Sequence, residues 1–172
     1  MKVRRRGKAS VPEHVLSLLA LQDGERVLAV ATDPDGRVLV ATDRDLLLQR
    51  RPPDYERVGW DAIDKATFDA DGLRITGRDA KGADLRLRIP MTDPGSLPEV
   101  VRERVTASIV LSQHVALRDD LGVRVTARRR PGTPEFAWGY RVDPGLDETD
   151  PEVARAALDA LEAVRRDAGL DR

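Results

Sequence analysis

Residues 25–89 form a series of short apolar runs that turn residues interrupt at regular intervals. Each run is roughly six to eight residues long and rich in Val, Leu and Ile, which is typical of β-strands. The segment 33–36 and the prolines at 52 and 53 supply turn and stop signals between the runs. This pattern restricts the region to an antiparallel architecture of about seven strands. The predicted strands are 25–32, 37–42, 45–50, 55–60, 62–69, 73–78 and 84–89.

Three helices are predicted by one recurring signal, in which Ser or Thr precedes Glu by three residues and the segment ends at Gly. The first predicted helix covers 11–21 and follows the cap Ser10. The second covers 96–118, and the segment ends at Gly122. The third ends at Gly169, and either Thr149 or Asp150 is a suitable N-cap.

Two hairpins can be registered from their loops. With 79–83 as the loop, alternate apolar residues of 73–78 face those of 84–89, and the charged residues share the other face. After the second helix, the segments 123–130 and 135–143 form a further hairpin around the loop 131–134.

The composition excludes several kinds of chemistry. The chain has no Cys, which excludes disulfides, thiolate metal sites and cysteine nucleophiles. His14 and His114 lie far apart in sequence without a metal-binding spacing, and neither Asp–x–Asp–Gly segment places Gly and Glu as a calcium loop requires. No apolar run approaches the roughly 20 residues of a membrane span. We therefore expect a cytoplasmic, non-enzymatic protein with no metal and no cofactor.

The order of elements, about seven antiparallel strands followed by one long helix, resembles the pleckstrin-homology-like (PH-like) superfold, specifically the small PH-like domains of uncharacterised bacterial proteins. The resemblance covers about residues 25–118 and is carried by the strand end at 60–63, the hairpin 73–89 and the helix 96–118. It implies an α+β fold in which a strongly bent antiparallel sheet or barrel of about seven strands is capped by a long helix. The N-terminal helix and the C-terminal hairpin and helix are additions to it.

The resemblance raises phosphoinositide binding, which in eukaryotic relatives uses basic residues around the loop between the first two strands. Here that loop, 33–36, carries two Asp and is flanked only by Arg26 and Arg37. Two carboxylates would repel an inositol phosphate, so this partner is not expected.

Three aromatic residues, Phe136, Trp138 and Tyr140, alternate along one strand and therefore share one face. They could form a base-stacking platform or pack on a core. The hairpin register places them opposite Arg129, Ala127 and Val125. Because that face is mostly apolar, we favour packing against the third helix.

The same register places Arg124, Arg128, Arg130 and Arg141 on the opposite face. Such a face, near a basic tail, could contact a polyanion, or it could be a solvated face whose charges meet the acidic stretch 143–152. The totals of 29 Lys+Arg and 30 Asp+Glu, a net charge of −1, argue for the second interpretation.

The predicted organisation is a basic disordered tail (1–9), a PH-like domain with its N-terminal helix (10–122) and a hairpin–helix extension (123–172). The leading hypothesis is a binding or scaffold module that acts through protein–protein contacts; the alternative is nucleic-acid binding through the basic tail and the arginine face. Attachment to an anionic membrane surface through the tail is a third possibility. The candidate contact residues are Arg124, Arg128, Arg129, Arg130, Arg141, Trp138 and Tyr140.

Overall fold

The computed structural model describes residues 13–51, 54–78, 83–91 and 93–170. The chain has two compact units, Met1–Val105 and Thr106–Arg172. Three helices and three antiparallel sheets confirm the predicted α+β class. Within the described ranges the strands form separate sheets rather than a closed barrel. The predicted tail, 1–9, lies outside those ranges. The boundary after residue 122 between a PH-like domain and a C-terminal extension stays a prediction.

The first unit contains the seven predicted strands, with bounds within two residues of the expected ones. They form a four-stranded sheet in the order β1-β2-β3-β4 and a three-stranded sheet in the order β5-β6-β7. The elements are α1 (Glu13–Leu18), β1 (Val27–Thr32), β2 (Val38–Thr42), β3 (Asp45–Arg51), β4 (Asp54–Gly59), β5 (Ile63–Asp69), β6 (Gly72–Arg78), β7 (Asp84–Ile89) and α2 (Leu97–Ser108), the last of which runs past the unit boundary.

Strands β2 and β3 are buried on both faces, which explains why their sequences are apolar at odd and even positions alike. On one face Leu39, Leu46 and Leu48 join Trp60 and the buried side of α2 in the main core. On the other face Val40 and Leu47 pack with Leu19, which follows α1. Apolar burial on both sides is the main force that holds this sheet in place.

The predicted register of the 73–89 hairpin is confirmed residue for residue. Leu73 pairs with Ile89 and Ile75 with Leu87, so the apolar side chains share the core face. At the position of Gly77 a Cβ atom would come within 1.9 Å of the Ala62 carbonyl oxygen, so only glycine fits there.

Two of the predicted helices are shorter than expected. α1 ends at Leu18, not at residue 21, because the chain turns at Ala20 with a left-handed φ of 42° and buries Leu19 on the sheet. The Ser10 cap lies outside the described residues. The second helix ends at Ser108, and residues Ile109–Arg118 form a strand, β8. The prediction of a continuous helix over 96–118 was therefore wrong.

The second unit is a three-stranded meander covered by one helix. Its sheet has the order β10-β9-β8, and α3 packs across all three strands. The predicted third helix is confirmed: the Asp150 carboxylate, not Thr149, accepts the cap bond from the Glu152 N–H, and the helix closes at the left-handed Gly169. The remaining elements are β9 (Leu121–Arg129), β10 (Phe136–Val142) and α3 (Pro151–Ala168).

Candidate functional site: the basic face of the C-terminal sheet

The β8–β10 sheet has one apolar face and one polar face. On the apolar face Val123, Val125 and Val142 join Val153, Ala157 and Val164 of α3 in a buried cluster. The predicted β9–β10 register is confirmed, with Trp138 opposite Ala127 and Arg141 opposite Arg124. Because side chains alternate along a strand, the arginines at 124 and 141 lie on the face away from α3.

The expected packing of the aromatic residues on the third helix is confirmed for Trp138 and Tyr140. Both rings are partly buried against the α3 cluster. Phe136, also half-buried, lies under the guanidinium group of Arg129, whose central carbon is 5.2 Å from the ring centroid. Trp138 and Tyr140 pack on the helix and Phe136 is covered by Arg129, so the three rings do not form an open stacking platform.

Arg128 does not belong to the exposed basic face that the sequence predicts. Its residue exposure is only 6%, and its guanidinium group donates to the Ser108 hydroxyl over 2.9 Å. Arg128 pairs in register with Ile109, directly after the helix α2 ends. The guanidinium therefore forms its hydrogen bond at the junction between α2 and β8. The expectation of a fully exposed row of arginines was wrong at this position.

Arg124 and Arg141 remain on the surface as a cross-strand pair. They are direct register partners on β9 and β10, and both side chains are exposed. Opposite residues on neighbouring strands have Cβ atoms about 4.5–5.5 Å apart, and like charges there repel. Neither guanidinium forms an ion pair or a side-chain hydrogen bond with any described residue. Arg130 is exposed as well, at the hairpin end of β9.

The acidic stretch 143–152 forms no ion pair with these two arginines, and most of its carboxylates have other partners. Asp147 accepts from Thr149, and Asp150 caps α3. Asp150 and Glu152 both lie 3.4 Å from Arg118. Asp143, the first residue of the stretch, lies near enough to Arg124 for the two charges to interact, but it forms an ion pair with neither arginine. The interpretation of the arginine face as one whose charges meet 143–152 therefore stays a prediction.

Asp143 is held at the end of the same sheet face. Its Oδ2 atom lies 2.7 Å from Nε2 of His114 and accepts from the Gly122 N–H over 2.9 Å. The hydrogen bond with His114, the Gly122 N–H and the nearby charge of Arg124 lower the pKa of the Asp143 carboxyl below its usual value. Because His114 pairs in register with Arg124, nitrogen-bearing side chains occupy three adjacent strands in one row: His114, Arg124 and Arg141.

The first unit contains a different charge cluster, in which every group has a partner. Arg57 donates to both Glu25 and Asp45 at 2.8–3.0 Å, and Thr42 donates to Glu25 over 2.6 Å. Burial raises the pKa of Glu25, but the hydrogen bonds from Arg57, Thr42 and the Gln22 N–H outweigh it and leave that pKa below its usual value. Arg57 also donates to the Ala20 carbonyl, so the cluster holds the segment after α1 in place.

Sequence reasoning located Arg124 and Arg141 but missed the groups around them. The sequence pattern predicts a helix over β8, which includes His114, and nothing in the hairpin sequence alone indicates that Arg128 is buried.

In the described part of the chain, no group of three or more His, Asp or Glu side chains is placed to hold a metal ion. None of the helices described there has the length and apolar character that crossing a bilayer requires. No protein-family model matches the chain, and no curated protein matches it.

Proposed function

We propose that this chain is a non-enzymatic, cytoplasmic PH-like binding module whose C-terminal sheet contacts an acidic surface or segment of a partner protein. The observation that carries the proposal is the Arg124–Arg141 pair, two exposed like charges directly opposite each other, neither of which forms an ion pair with a described residue. An arrangement that costs energy in the free protein is relieved when a carboxylate binds between the two guanidinium groups.

The PH-like part of the proposal rests on the first unit. Its four-stranded and three-stranded antiparallel sheets are followed by α2, whose Leu97 and Val101 are buried in the core shared with both sheets. This order of strands and helix supports the PH-like proposal, although the helix ends at Ser108 and not at residue 118. Because a shared fold does not convey a ligand, the function is argued from the basic face alone.

A protein partner fits the surface better than a nucleic acid does. The aromatic residues that would stack on bases face α3, and Arg128 is withdrawn from the basic face. The net charge of −1 gives little long-range attraction to a polyanion. Two adjacent guanidinium groups suit a short acidic segment, which needs local charge complementarity rather than a basic groove.

The experiment compares a fluorescent decaglutamate peptide with a decauridylate oligonucleotide, both titrated against the full chain by anisotropy. In the double variant Arg124→Gln/Arg141→Gln we expect peptide affinity to fall about tenfold, a loss of about 1.4 kcal/mol. The matched control is Arg102→Gln/Arg155→Gln, which removes two exposed helix arginines and the same net charge.

Equal losses in the two double variants would contradict a specific basic face and leave only the effect of net charge. Tighter binding of decauridylate than of decaglutamate, lost in the Arg124→Gln/Arg141→Gln variant, would replace the protein partner with a nucleic acid.

A further inference from the structure

Strand β10 has one edge that no described strand covers. It is the outer strand of its sheet and pairs with β9 through seven consecutive residue pairs without a register shift. The Asp143 N–H donates to the Gly122 carbonyl over 2.9 Å, directly after the pair Val142–Val123. Because hydrogen-bonded and non-hydrogen-bonded pairs alternate in an antiparallel ladder, the odd-numbered residues of β10 bond to β9. The backbone N–H and C=O groups of Phe136 and Tyr140 therefore point to the open edge.

The other outer strands carry features that discourage pairing, whereas β10 does not. β8, on the far side of the same sheet, has two register shifts, shifts also interrupt β1 and β5, and β4 carries charged residues at Asp54, Glu56 and Arg57. β7 is regular but alternates charged residues at Asp84, Arg86 and Arg88. β10 has the sequence FAWGYRV, with no Pro and a single charge. Proteins protect strand edges with bulges, charges or Pro, so an unprotected edge indicates a site for an added strand.

We propose that an extended segment of the partner protein pairs with β10 as a fourth strand, with acidic and apolar side chains in alternation. This inference rests on the proposed function and specifies its mode of binding. The acidic side chains would lie beside Arg141 on the basic face, and the apolar ones beside Tyr140 on the α3 face. No atom of the described residues lies within 4 Å of the position that a Cβ at Gly139 would occupy, so the basic face is open to them at the middle of the strand.

Charge favours this occupant over a second copy of the chain. Two β10 strands paired antiparallel about a two-fold axis would continue one sheet into the other, with both basic faces on the same side. That arrangement adds two more arginines to a face on which two arginines already lie opposite each other. An acidic strand brings the counter-charge instead.

The test is amide hydrogen exchange, measured by NMR on the full chain with and without the seven-residue peptide VEVEVEV, blocked at both ends. We expect exchange at Phe136 and Tyr140 to slow at least tenfold, because their N–H groups gain acceptors on the added strand. Ala137, Gly139 and Arg141 are the internal control, since their N–H groups already bond to β9 and change little. The peptide VVVVEEE, of the same composition without the alternation, is expected to protect neither set.

A variant provides a second measurement. Tyr140→Pro removes an outward N–H from the open edge, whereas the N–H groups of β10 that bond to β9 belong to odd-numbered residues, so VEVEVEV binding is expected to drop at least tenfold. Should that variant fail to fold, the exchange measurement on the unaltered chain decides the question alone.

The outcomes separate this inference from the proposal on which it rests. VEVEVEV binding that depends on Arg124 and Arg141 but leaves Phe136 and Tyr140 unprotected overturns strand addition and keeps the acidic partner. Failure of both VEVEVEV and decaglutamate to bind removes the proposed function. Slower exchange that grows with protein concentration and without peptide would show that a second copy occupies the edge.

Discussion

The two units differ in whether their clustered charged residues are paired with opposite charges. In the first, Glu25 and Asp45 are withdrawn from solvent, with side-chain exposures of 0% and 4%, and both accept from Arg57. In the second, Arg124 and Arg141 face each other on the surface without an ion pair to any described residue. A buried carboxylate without a partner is very costly, so the first cluster must be complete in the free protein. An exposed arginine costs little in solvent, so the second can remain incomplete until a partner binds.

This difference predicts that Arg57 contributes most to stability. Arg57→Met leaves two buried carboxylates facing each other, and breaking a buried ion pair costs about 3–5 kcal/mol. Since Arg57 keeps about a quarter of its side chain in solvent, we expect a loss near the lower end, about 3 kcal/mol. Urea unfolding in a Trp138→Phe background reports this unit through Trp60, which lies in its core.

Arg50→Met is the control, because Arg50 pairs with Glu56 on the surface. A loss below 1 kcal/mol for both variants would show that the buried cluster is no more important than a surface pair.

The pH dependence of the stability that Glu25 contributes tests the same cluster, with a smaller expected effect. Its pKa in the folded state lies below the value of about 4.5 in the unfolded chain. Glu25 therefore contributes stability that is fully present above about pH 4.5 and is lost as the pH falls through the lowered pKa. Glu25→Gln is expected to cost roughly 1.5–3 kcal/mol at pH 7, the range for hydrogen bonds to a charged group.

The measurement is the difference in unfolding free energy between the native chain and Glu25→Gln as a function of pH. We expect this difference to shrink below pH 4.5. A difference that stays constant down to pH 3 would mean that the Glu25 charge does not contribute.

Whether the sequence predicts a feature of the two units depends on how far apart in the chain the interacting residues lie. The registers of 73–89 and 123–143 were predictable because alternation and loop length determine a hairpin locally. The end of α2 was not recognised, although the step from Val105 to Leu111 breaks the helical spacing and Ile109 and Val110 are β-branched. Arg57 and Glu25 lie 32 residues apart, and no local pattern connects them.

Asp143 is an intermediate case, since it is only partly buried and has partners in His114 and Gly122. Because its pKa is lowered from 3.8, its contribution is present above that pH and is lost as the pH falls through the lowered value. Asp143→Asn is expected to destabilise the second unit at pH 7 by less than Glu25→Gln destabilises the first, and the loss should fade below pH 3.8. Unfolding followed by Trp138 in a Trp60→Phe background measures it, with exposed Glu148→Gln as the control. A loss equal to that of Glu25→Gln would remove the distinction between the two units.

The smallest effect is expected from the residues that carry the proposed function. Replacing Arg124 and Arg141 together by Gln removes two opposed like charges and no ion pair among the described residues, so stability should change by less than about 0.5 kcal/mol, in the direction of a gain. The effect of salt on the free energy of unfolding tests whether the two arginines repel each other. At 1 M salt the screening length is about 3 Å, shorter than the separation of opposed side chains, so salt should stabilise the native chain more than the double variant. A loss above about 1 kcal/mol in the variant would instead mean that the two arginines hold the sheet together. They would then be structural like Arg57, and neither the contrast between the units nor the basic contact face would survive.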